Sequence, residues 1–74
     1  MEEATRLYHE ALAIFRSGNL SQAIQKFEAS VALEPRFSDA LEALGVLYSK
    51  ADRLDDAIEV KVRLSKLFPD HIMA

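Results

Sequence analysis

The residues of this 74-residue chain best suited to covalent or metal chemistry are its two histidines, His9 and His71. They stand near opposite ends, and neither has a second metal-ligating side chain three or four positions away. That is the spacing that would place two ligands on one helix face. Both read as surface histidines. Two carboxylate pairs, Glu2-Glu3 and Asp55-Asp56, fall where helices are expected to start, so capping and the helix dipole account for them. No glycine-rich phosphate loop or nucleophile motif occurs. The absence of cysteine excludes thiol nucleophiles, disulfides and zinc sites built on thiolates. The expectation is no catalytic site, no metal and no cofactor, and hence no enzyme.

What remains is non-covalent chemistry. Tyr8, Leu12 and Phe15 recur at i, i+4 and i+7, one apolar stripe on a helix. Leu7, Ala11 and Ile14 make a second stripe, about 100° round from the first. The helix that carries both is expected from about Glu2 to Arg16. Ser17-Gly18-Asn19 breaks it, with Gly18 as a left-handed stop. Ser21 is the expected N-cap of a second helix reaching Glu34, with Leu20 as a hydrophobic staple and Pro35 as terminator. Ala23, Phe27 and Val31 face one way along it. A third helix opens at Ser38 or Asp39 and ends near Lys50. A fourth is expected to be capped by Asp55 and to stop before Pro69, with Glu59 and Arg63 spaced for an ion pair.

The four helices are two copies of one unit. Leu20-Ser21-Gln22-Ala23-Ile24 returns as Leu54-Asp55-Asp56-Ala57-Ile58, a shift of 34 positions from residue 20 to residue 54. The same shift lays Leu7 on Leu41, Ala11 on Gly45, Ile14 on Tyr48 and Pro35 on Pro69. A fixed period of this length marks a stacked repeat. Unit one spans residues 4–37, unit two residues 38–71, and residues 72–74 begin a third. The expected fold is all-α: one domain over residues 1–74, built as two stacked antiparallel helix pairs.

Bulk properties agree. The chain is 50% apolar and 28% charged, which is globular rather than disordered. The net charge is −3, and the basic residues interleave with acids, so no nucleic-acid-binding face is expected. No apolar run approaches the length of a membrane span, and the acidic start Met1-Glu2-Glu3 is no secretory signal. Cytoplasm is the default expectation.

Leu41-x-x-Leu44-Gly45-x-x-Tyr48, then Ala57, then Pro69, resembles the tetratricopeptide repeat. Unit one carries Leu7, Ala11, Ile14, Gly18, Ala23, Phe27 and Pro35 at the corresponding places. The small residues let helix backbones approach, while Ile14, Phe27 and Tyr48 fill the volume beside them. The resemblance implies a concave groove, lined by the first helix of each unit, that holds a partner's peptide or helix. Here it would set Tyr8, Leu12, Phe15 and Arg16 beside Val46 and Lys50, with Glu42 and Ser49 at the remaining matched places. The alternative is that Leu12 and Phe15 pack on the third helix and belong to the core. Some family members grip a terminal carboxylate with Lys and Asn, but those places hold Tyr8, Leu12 and Ala43.

The two units differ in ways that bear on function. Lys61 stands at the place of Phe27, and Asp52 at that of Gly18. Arg6 and Glu10 match Ala40 and Leu44, so the outer face of the first helix is fit for solvent. The last helix reads oppositely. Val60, Val62, Leu64 and Phe68 match Lys26, Glu28, Ser30 and Glu34, an end without the polar cap that stacks need. Two functions follow. One is a protein-interaction module with a protein or peptide partner. The other is self-assembly as a homodimer through Val60, Leu64, Phe68 and Ile72.

Overall fold

The computed structural model describes residues 2–69. Its helices are α1 (Glu2–Arg16), α2 (Leu20–Leu33), α3 (Ser38–Lys50) and α4 (Leu54–Leu67), with no strand among the described residues. The N-cap of α2 is Asn19 rather than Ser21. Its side-chain oxygen accepts from the Gln22 N–H at 3.3 Å, which makes Leu20 the first helical residue. Arg53, not Asp55, takes that place before α4. Asp55 and Asp56 then sit in the first turn, where the dipole favours carboxylates. Arg53 is also the hub of the ion pairs here, to Asp56 at 2.8 Å and Glu28 at 3.9 Å, in place of the expected Glu59–Arg63 pair.

Gly18 has φ 95° and Asp52 φ 62°, both left-handed. The two turns close with the same bonds. Gly18 N–H reaches Phe15 O at 2.9 Å and Asn19 N–H reaches Ile14 O at 3.3 Å. Asp52 N–H reaches Ser49 O at 3.1 Å and Arg53 N–H reaches Tyr48 O at 2.8 Å. Aspartate tolerates this region better than most residues but still pays a steric cost that glycine escapes. Asp52→Gly should therefore be neutral or raise stability by up to about 1 kcal/mol. Thermal denaturation checks it, and a lowered midpoint would contradict the turn argument.

α1 packs on α2, α3 on α4, and α2 joins the two pairs through α3. Where helices approach most closely the residues are small: Ala11, Ala23 and Ala40 have no exposed surface. Phe27 and Leu41 are the large residues at the centre. Ser30 is buried with them, and its hydroxyl donates to the Ala4 carbonyl at 2.7 Å, so this buried polar atom is not stranded.

A polar clamp ties the pairs together. The Tyr48 hydroxyl donates to Glu28 Oε2 at 2.5 Å, and the Arg53 guanidinium lies 4.7 Å over the Tyr48 ring. Burial, and then this bond to Glu28, push the Tyr48 pKa well above its ordinary value. On the opposite flank Arg6 pairs with Glu3 and lies 3.7 Å from Glu10, which Lys26 meets at 3.0 Å. The hydrogen bond from Lys26 holds the Glu10 carboxyl below the usual range. As the sequence implies, this side of α1 is a solvated, ion-paired face.

Candidate functional site

A groove of about 610 Å3 with a largely apolar lining opens between α3 and α4. Gly45, Val46, Val60 and Leu64 give it an apolar floor. Glu42, Ser49 and Lys50 stand along α3, and Lys61 along α4. Its origin lies in residue size. Gly45 takes the place of Ala11, and a Cβ there would meet Val60 Cγ1 at 3.5 Å, ordinary contact. The large groups of unit one are missing. Phe27 becomes Lys61, Tyr8 becomes Glu42 and Phe15 becomes Ser49.

In unit one the same region is filled. Tyr8 meets Phe27 edge-on with centroids 5.6 Å apart, and Phe37, just before α3, lies 5.2 Å away at a tilt. Lys61 is exposed at the groove wall, as expected for a charge on a long apolar stem.

Of the residues expected to line one groove, Glu42, Val46, Ser49 and Lys50 of α3 line it together, while Tyr8, Leu12, Phe15 and Arg16 of α1 are not among its lining. Val46 is 56% exposed. Tyr8, Leu12 and Phe15 are half-buried and packed against the core, and Arg16 is exposed in the last turn of α1. Tyr8 is held between Phe27 of α2 and Phe37 just before α3, and Leu12 and Phe15 lie partly buried against the core beside it. The sequence reading missed the α4 side: Val60, Lys61 and Leu64. The Phe27-to-Lys61 replacement was the signal, since a core aromatic exchanged for lysine leaves a gap.

The residues expected to self-associate are also redistributed. Val60 is 3% exposed and Leu64 6%, so both belong to the core and not to an outer face. The repeat explains it. Their counterparts Lys26 and Ser30 face α1, bonded to Glu10 and to the Ala4 carbonyl. Val60 and Leu64 turn toward α3 in the same way. Phe68 is half-buried, with the Arg36 guanidinium 5.2 Å over its ring. Ile72 lies outside the described residues. The exposed apolar row of α4 is instead Leu54, Ile58 and Val62, at 57%, 60% and 47%.

A tetratricopeptide repeat family profile matches residues 15–73, most of the chain. This chain belongs to the tetratricopeptide repeat family. The two helix pairs, the small residues at the crossings and the turns at Gly18 and Asp52 are thereby parts of one repeat type. No curated protein matches the chain. Tetratricopeptide repeat domains are generally non-catalytic scaffolds, and membership points to a protein–protein interaction module with protein partners. Among the described residues, no group of three or more His, Cys, Asp or Glu is placed to hold a metal ion. No helix among them is long and apolar enough to cross a membrane.

Proposed function

We propose that this tetratricopeptide repeat chain binds a partner's peptide or helix in the groove between α3 and α4. The observation that carries the reading is the contrast between the units. The surface closed by Tyr8, Phe27 and Phe37 in unit one is open in unit two over an apolar floor. Grooves of this kind take the apolar face of an amphipathic helix, and Val46 is the most exposed apolar side chain lining it. Lys50 and Lys61 on either wall favour acidic residues flanking that face. The half-buried Leu12 and Phe15 would extend the contact along α1, with Arg16 steering acidic flanks.

A panel of helical peptides with leucines at i and i+4 and glutamate flanks supplies the probe. Amide shift changes should centre on Gly45, Val46 and Lys61. Val46→Asp should weaken binding at least about tenfold, about 1.4 kcal/mol, with helical circular dichroism retained. Substitution of Lys26 or Glu28, away from the groove, should do little. Shift changes confined to the Glu28 side, or undiminished binding by Val46→Asp, would defeat the proposal.

A further inference from the structure

The exposed row of α4 invites a different occupant from the groove. In unit one α3 packs on α2 and covers two of the matching residues, with Ile24 2% exposed and Leu20 half-buried. Glu28, at the place of Val62, is exposed and accepts from Tyr48 of α3. Ile58 and Leu54, a shift of 34 further on, are 60% and 57% exposed. The face is therefore one that a helix covers in this same molecule. Four positions, Leu54, Ile58, Val62 and the small Ser65, make the row at helical spacing.

The charges of α4 say which helix. Its acids, Asp55, Asp56 and Glu59, all precede its bases, Lys61, Arg63 and Lys66. A helix so divided is complementary to its own copy run in the opposite direction, and an isologous contact needs only that. The register can be specified. At about 100° per residue, Asp55 and Lys66 lie roughly 60° and 80° to the same side of Ile58. A two-fold axis level with the midpoint of those residues brings Asp55 of each copy level with Lys66 of the other. The four row residues of one copy then alternate along the axis with those of the other. Lys61, roughly 60° to the other side, comes level with its own copy near the axis.

We propose that the chain forms an antiparallel homodimer through Leu54, Ile58, Val62 and Ser65 of α4, set in register by Asp55 and Lys66. The inference does not depend on peptide binding in the groove. Both charged residues are exposed, so their substitution leaves the core intact.

Sedimentation equilibrium of the 74-residue chain at high-micromolar concentration should show a monomer–dimer equilibrium. Ile58→Glu should be monomeric with unchanged helical circular dichroism. Asp55→Lys and Lys66→Glu should each weaken the dimer several-fold, and the double variant should recover it. That recovery is the decisive reading, because the double variant opposes the helix dipole at both ends and a merely structural effect would compound. Lys61→Ser should tighten the dimer by removing the like charge at the axis. A monomeric wild-type chain, a dimeric Ile58→Glu, or no recovery in the double variant would overturn the proposal, and the row would then be open to another protein's helix.

Discussion

Phe27→Ala should leave the chain largely unfolded at 25 °C. The ring is 1% exposed and sits edge-on to Tyr8 at 5.6 Å, so truncation removes both its buried area and a support of the neighbouring aromatic. Such a change costs about 3–5 kcal/mol. A core in a chain of this length rarely supplies more than about 3–5 kcal/mol in total. Loss of the helical circular dichroism signal and collapse of amide dispersion are the expected readings. The control is built into the repeat. Lys61→Ala alters the matching position, which is exposed, and should change stability by no more than about 0.5 kcal/mol. Equal effects from the two variants would mean that the units do not differ as their burial implies.

Ala11→Leu should be the next most damaging, through excess volume rather than a cavity. Ala11 and Ala23 have no exposed surface, and the crossing of α1 and α2 is close because methyl groups are all it must hold. An isobutyl group there must push the helices apart, at about 1–3 kcal/mol. For a chain of this size each kcal/mol moves the melting midpoint by roughly 4–8 °C. The matched substitution in unit two behaves oppositely. Gly45→Ala adds a methyl in ordinary contact with Val60 and replaces a mid-helix glycine, so it should be neutral or stabilising by up to about 1 kcal/mol. Differential scanning calorimetry of the pair separates the cases. A melting midpoint unchanged in Ala11→Leu would show that the crossing has room to spare.

The helices and their pairing were legible because one period governs both units. Proline and glycine fix the ends, and the alanine places fix which faces meet. The helix starts were less legible. Asn19, Ser21 and Asp55 are all competent caps, and only tertiary context selects Asn19 for α2 and leaves Arg53 before α4. The direction of Val60 and Leu64 was misread for a related reason. Apolar residues in place of Lys26 and Ser30 suggest an outer face if those partners face solvent. In fact Ser30 is buried against α1, so its aliphatic replacement Leu64 is buried against α3. The groove was half legible. Its α3 wall follows from the shift of Tyr8, Leu12 and Phe15. Its α4 wall needs the three-dimensional fact that Lys61 no longer closes the space Phe27 fills.

The charged flank of α1 limits what the chain can build with itself. Glu3, Arg6, Glu10 and Lys26 neutralise one another in a connected run across α1 and α2. An incoming apolar row would have to strip water from all four and return no bonds to them. Head-to-tail addition, with α4 of one molecule seated on α1 of the next, is therefore closed off. That heterologous contact is the one that propagates without limit into fibres. If α4 pairs with its own copy as proposed, the ion-paired flank of α1 would leave that contact nothing to propagate onto, and would act as a terminator of polymerisation.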